Sequence, residues 1–202
     1  MKKLIYLFVI FIVMSVSCQN NQKASASNDC LLELAQNRRS IRSYTNEPLS
    51  RETIDSILTI AALAPSSYGQ NPVEFVVVEG KDMLRKLADC KAIGAPSVRN
   101  ATAAVVVMAD TTKGELWVED TSVAAAYLLL AAEQYGVGAC WNQIHLRNGQ
   151  RKSASREICE LLGIPPKYEV ECVVSLGYPA ETKEPRSAEQ MKKGRIHYFS
   201  DK

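Results

Sequence analysis

The chain has 202 residues, 47% hydrophobic and 23% charged, enough for a single domain with one core and too few for two comfortable ones. Ten glycines and eight prolines, with no Gly-X-Y period, exclude collagen-like and disordered classes. The 24 Lys and Arg against 22 Asp and Glu include Lys2 and Lys3 at the extreme N-terminus; without those two the chain is neutral, which argues against a nucleic-acid partner.

Met1-Lys2-Lys3 precedes an unbroken apolar run, Leu4 to Met14, which has the charge order of an export signal and is too short to span a bilayer. Ser15-Val16-Ser17 then supplies small residues around a cleavage point directly before Cys18, and this stretch resembles a bacterial lipoprotein signal. That resemblance implies cleavage after residue 17, a lipid on Cys18 and attachment to a membrane by that anchor alone. Residues 18–28 read as a polar tether, and residues 29–202 as the folded domain. The five cysteines beyond Cys18 form no Cys-x-x-C pair and only two histidines, His145 and His197, are present, so neither a zinc site nor a disulfide framework is specified.

Leu31 to Ala35 predicts a short first helix with Asp29 near its N-cap, and Arg39 to Pro48 an extended segment. Ser50 is placed to cap a helix carrying Ile54, Ile57, Leu58, Ala61 and Ala62 on one face. Pro65 to Pro72 reads as a loop, Phe75 to Val78 as a strand, Asp82 to Cys90 as a helix and Ala103 to Met108 as a buried strand. Thr121 to Tyr135 is apolar nearly all round, which predicts a helix buried in the core or at a subunit interface. Ala139 to Ile144 is a third strand, Ser155 opens a helix to Leu162, Tyr168 to Leu176 is a fourth strand, and the tail is polar. Helices and strands mixed in this way predict an α+β layer fold.

Arg38-Arg39-Ser40-Ile41-Arg42 carries the first chemistry. In an extended chain Arg38, Ser40 and Arg42 share a side, which suits a phosphate; a solvated basic turn is the other reading. Lys192, Lys193 and Arg195 form a second basic group far along the chain. Between them, Ala64 to Pro72 offers hydroxyls and amides in a stiff loop, the donors and acceptors that the edge of a heteroaromatic ring requires. No paired acid and base or nucleophile triad is visible. Gly138-Ala139-Cys140-Trp141 has the Cys-Trp pair of papain-like proteases without the distant His and Asn.

Taken in order, RRSIRSY, APSSYGQNP leading into VEFVVV, the helix ending in GVGACW, GIPPKYEV before VVSLGYP, and KKGR resemble the FMN-dependent nitroreductase family over residues 29 to about 198. The resemblance implies a three-layer α+β fold, a mainly antiparallel sheet flanked by helices, assembled as a homodimer. It implies FMN as cofactor, NADH or NADPH as electron donor and a nitroaromatic, quinone or similar acceptor, served alternately in a ping-pong scheme. By the same resemblance Arg38, Arg39, Ser40 and Arg42 hold the flavin phosphate and ribityl chain, with Lys193 and Arg195 closing over the phosphate. Pro65, Ser66, Ser67 and Asn71 reach the flavin of the other subunit. Cys140, Trp141 and Gln143 line the flavin along one strand, with the backbone N–H of Gln143 at N5. The other class kept open is an exported, lipid-anchored flavin-binding protein that does not turn over nicotinamide.

Overall fold

The computed structural model describes residues 30–200. The signal segment, Cys18, the tether and the Asp29 cap lie outside the described residues. The helices are α1 (Cys30–Asn37), α2 (Arg51–Ala62), α3 (Lys81–Asp89), α4 (Pro96–Arg99), α5 (Trp117–Gln134), α6 (Ala154–Leu162) and α7 (Ala188–Lys192). The strands are β1 (Val73–Glu79), β2 (Ala103–Asp110), β3 (Gly138–Gln143) and β4 (Tyr168–Gly177). They form one sheet in the order β1-β2-β4-β3, every neighbouring pair antiparallel.

The apolar run of β2 explains the layering. All eight of its residues are buried, because alternate side chains enter opposite cores. Ala104, Val106 and Met108 pack with Leu84 and Leu87 of α3, Val98 of α4 and Ile158 of α6. Val105 and Val107 pack with Ile54 and Ile57 of α2 and Ala125 and Leu128 of α5. Fully burying each of these valines contributes about 1.5–3 kcal/mol. The result is the α+β fold that the element order predicts, in the three layers that the resemblance implies.

Several boundaries differ from the sequence reading. Helix α5 begins at Trp117 rather than Thr121, because Glu119 and Asp120, polar in the sequence, sit favourably in its first turn. The Thr121 hydroxyl then donates back to the carbonyls of Trp117 and Val118. The cap of α6 is Ser153, whose side chain accepts from the Arg156 N–H. Ser155, expected in that role, is buried; its hydroxyl donates to Glu169 and accepts the Val170 N–H. Short helices α4 and α7 lie in stretches to which the sequence reading assigned no element, and a single 3₁₀ turn, Ser67–Gly69, stiffens the loop before β1. One irregularity bears on the site. Val107 pairs with Cys172 and Met108 with Val170, so Glu171 is an extra residue bulged out of β4.

Candidate functional site

The basic segment lies along the outer edge of β3. Ser40 bridges Ala139 in parallel, and the Ile41 N–H donates to the Ala139 carbonyl at 3.0 Å. Gly138 permits this approach: a Cβ there would stand 2.9 Å from Ile41 Cγ2 and 3.2 Å from the Gly177 carbonyl. The segment's other side is covered by residues 179–186. Tyr44 bridges Pro179, the Ala180 N–H donates to the Ser43 carbonyl, and the Arg186 N–H donates to the Gln36 carbonyl. The Glu181 carboxylate accepts the N–H groups of Arg42 and Ser43 at 2.6 and 3.2 Å. These two bonds, first that of Arg42, hold its pKa below the usual carboxylate value.

The arginines separate. Arg39 donates to the Glu184 carbonyl. Arg38 is half-buried; burial lowers its pKa first, the neighbouring Arg186 next and Arg39 after the opposing pull of Glu133. Partial desolvation among like charges is a cost that an anion would relieve. Around Ser40, its carbonyl accepts from Lys183 Nζ at 2.6 Å and lies 3.4 Å from Arg42 Nη1. The cations that join this edge are thus Lys183 and Arg186. Lys193 and Arg195 are exposed beyond α7, and their N–H groups turn back to the Glu189 and Lys192 carbonyls. Sequence reading missed Lys183 and Arg186; the period-two placement of Glu181 and Lys183 after Gly177-Tyr178-Pro179 was the available signal.

Farther along β3, Cys140 is buried, while Trp141 and Gln143 are partly exposed. Because the Ala139 carbonyl faces outward to Ile41, the two-residue period turns the N–H groups of Trp141 and Gln143 to the same open edge. The Trp141 indole donates to Gln143 Oε1 at 2.8 Å, and Gln143 Nε2 donates to Glu171 Oε1 at 2.9 Å. On the opposite face, Asn142 Nδ2 donates to the Cys140 and Val173 carbonyls, and Ser97 donates to Asn142 Oδ1. The Tyr44 hydroxyl donates to the Ile41 carbonyl at 2.6 Å, and burial pushes its pKa up. These ties fix β3 from beneath.

The loop lies elsewhere. Ser67 donates its N–H and hydroxyl to Asp120 of α5 at 2.8 and 2.9 Å. Ser66 Oγ accepts the Asn71 N–H and donates to Asn71 Oδ1, and Asn71 Nδ2 donates to the Gly69 carbonyl. Tyr68 and Asn71 take φ of 52° and 46°, a conformation costly for Tyr, and Tyr68 is 94% exposed. A small cavity of about 60 Å³ is lined by Pro65, Ser66, Asn71, Phe75 and Asp120. The loop leads into β1, and the arginines flank β3; these are opposite edges of the sheet, about 14 Å apart at the usual strand spacing. Within one chain the two groups do not meet.

The fold and site define an α+β protein with a doubly covered antiparallel sheet, a cationic segment along one edge and a hydrogen-bonded polar loop at the other. Residues 35–119 and 96–178 match the model of the Nitroreductase family, and the chain belongs to that family. A protein of Archaeoglobus fulgidus, provisionally named an NADH dehydrogenase/NAD(P)H nitroreductase, is 40% identical over 76% of this chain and 87% of its own. An FMN-dependent nitroreductase of Clostridium difficile superposes with a TM-score of 0.80 at 37% identity, over 84% of this chain and 99% of that one. A provisionally named nitroreductase of Desulfovibrio desulfuricans, solved in complex with FMN, superposes with a TM-score of 0.66 at 25% identity, over 85% and 98% of the two chains.

The residues present fit a flavin mononucleotide. Arg38 is held half-buried among like charges, which suits the phosphate, and on the same edge the alternation of β3 leaves outward N–H donors for the hydrogen-bonding edge of a ring.

Proposed function

We propose that this chain is an FMN-dependent oxidoreductase that takes electrons from NADH or NADPH and delivers them to a nitroaromatic, quinone or similar small acceptor. The observation that carries this reading is the placement of half-buried Arg38, with Arg39 and Arg186 as like-charged neighbours, on the sheet edge to which β3 turns the N–H groups of Trp141 and Gln143. When bound, the flavin supplies hydride exchange at N5 in a ping-pong alternation of donor and acceptor. The chain's own residues bind and orient. Arg38, Arg39, Ser40 and Arg42 hold the phosphate and ribityl chain, with Lys183 and Arg186 adding positive charge, and Lys193 and Arg195 are assigned to close over it. Cys140 and Trp141 line the strand, and Gln143 offers its main-chain N–H toward N5.

The wide separation of loop and arginines supports a homodimer, in which Pro65, Ser66, Ser67 and Asn71 of one copy complete the site of the other. The rigid ties of Ser67 to Asp120 and Asn71 to Ser66 would let that loop arrive already ordered, at little entropic cost. The purified full chain is expected to be a yellow dimer that releases one FMN per chain on denaturation. Colourless protein that does not take up added FMN overturns the proposal. Anaerobic mixing with NADH or NADPH should bleach the flavin rapidly, and a panel of nitroaromatics and quinones should restore the colour.

A second reading rests on Met1 to Cys18: export and lipid anchoring at Cys18 would place the domain away from cytoplasmic nicotinamide and leave a flavin-binding protein that accepts electrons from another donor. Tightly held flavin that no nicotinamide bleaches supports this reading. Membrane partition of the wild-type chain, lost in Cys18→Ser, tests the anchor, and soluble wild-type protein without acyl mass rules it out.

A further inference from the structure

Glu171 is a buried carboxyl beside the site whose role there is not explained by its bond to Gln143 alone. It is 4% exposed, it stands at the bulge of β4, and among the described residues it has no ion-pair partner. Its Oε2 is buried without a hydrogen-bond partner. An uncompensated carboxyl oxygen in the interior is costly, and the β-ladder does not require it, since Glu171 is the residue that the pairing of β2 and β4 skips. The rest of the group is heavily engaged. Its carbonyl accepts both the Ile144 and His145 N–H groups at 3.0 and 2.9 Å, and its Oε1 accepts Gln143 Nε2 at 2.9 Å.

The direction of that last bond follows from chemistry. An indole N–H can only donate, so the Trp141 Nε1 contact at 2.8 Å assigns the near atom of Gln143 as its oxygen and turns the amide nitrogen to Glu171. Flipping the amide would set N–H against N–H at Trp141 and oxygen against oxygen at Glu171. The chain Trp141–Gln143–Glu171 therefore has one polarity. It ties the side chain of the last β3 residue across to the bulge of β4, just where the ladder between the two strands ends, while the backbone N–H of Gln143 faces the open edge.

We propose that Glu171 is a positioning residue: through the Gln143 amide it fixes the end of β3 so that the Gln143 N–H is held ready for the ring of the cofactor. The inference rests on the flavin reading for what that N–H meets, and on the structure alone for the clamp. The bulge is the device that makes it possible, because the extra residue lets a carboxyl reach the end of β3 while its neighbours Val170 and Cys172 remain in the two cores.

The test compares Glu171→Leu, which removes the acceptor, with Glu171→Gln, which keeps one, in the full chain. The first readout needs no flavin. Trp141 is one of only two tryptophans, so its indole N–H is a single identifiable NMR signal; in the apo protein its hydrogen exchange should accelerate by about tenfold in Glu171→Leu and return to within about twofold of wild type in Glu171→Gln. The second readout is binding. Glu171→Leu should weaken FMN and riboflavin by the same factor, about tenfold, because the lost support lies at the ring and not at the phosphate. Should Glu171→Leu fail to fold, Gln143→Met removes the amide that Glu171 holds while keeping the backbone N–H, and should produce the same equal loss for both flavins. An unchanged indole signal in Glu171→Leu, a loss confined to FMN, or a Gln143→Met variant binding both flavins like wild type overturns the proposal. A wild-type chain that binds neither flavin sinks the flavin reading instead, and the indole exchange still decides the clamp.

Discussion

Arg38 to Arg42 and Lys192 to Arg195 are short basic stretches of similar composition, and the fold treats them in opposite ways. The first is extended, seated by Ile41 on Gly138 and enclosed between β3 and residues 179–186. The second follows the last turn of α7 and stands in solvent. Charge alone does not make a site. Where the backbone of a basic segment is consumed by neighbouring strands, a side chain such as Arg38 is held half-buried at the sheet edge, and an anion gains more there than among solvated charges. Beyond α7 each cation keeps its water.

The largest expected effect breaks the seat of the first segment. Ile41→Ala empties a buried position against the sheet edge and should cost about 2–4 kcal/mol of unfolding free energy, read by chemical denaturation. A loss below about 1 kcal/mol would mean that the segment is held mainly by its polar ties to residues 179–186.

Next in size, Arg38→Ala and Arg42→Ala should each weaken FMN by about 1.5–3 kcal/mol in titrations of the apo protein, with much smaller losses for riboflavin, which lacks the phosphate. Equal losses for the two flavins would assign these arginines to folding rather than to the phosphate.

Lys193→Ala and Arg195→Ala sharpen the comparison from the other side. From their exposure, each should weaken FMN by less than about 1 kcal/mol. Losses matching that of Arg38→Ala would show that the tail closes on the phosphate when flavin and partner are present.

The smallest effect concerns a charge that already has its partner. Asp110, buried at the end of β2, bonds Lys167 Nζ at 2.6 Å and the Thr112 hydroxyl and N–H. These bonds, Lys167 first, hold its pKa at about 2, below the ordinary 3.8. A depressed carboxylate stabilises the fold above its unfolded pKa and loses that contribution as pH falls through the folded one. Stability should therefore decline between about pH 4 and 2, and Lys167→Ala should shift that decline to higher pH. An acid limb that Lys167→Ala leaves in place would assign it to other carboxylates.

Much of the site was legible in local chemistry. Arg38 to Arg42 read as extended because no helical apolar period runs through it, and Pro65 to Pro72 as a stiff loop because of its prolines and hydroxyls. Ser50 caps α2 as expected. Ser155 misled for a specific reason: Ser153 and Ser155 are equally good caps in composition, and which of them faces the free N–H depends on where Ala154 and Ser155 are buried against β4. The start of α5 misled likewise, since the apolar run begins only after Glu119 and Asp120, whose polarity hides that the preceding turn is helical.

By itself the sequence determined the order of the elements, the faces of α2 and the buried strands, and the family, because these depend on side-chain periodicity and on motifs whose residues lie close together in the chain. Tertiary structure alone decided which distant groups share a place. It brought Lys183 and Arg186, rather than Lys193 and Arg195, to the arginine edge, since the path of the chain after Gly177 is set by pairing against residues 36–44. It set the loop and the arginines on opposite edges of the sheet. It also gave Glu171 its position, because a bulge is a mismatch in length between two paired strands and has no signature in either strand read singly.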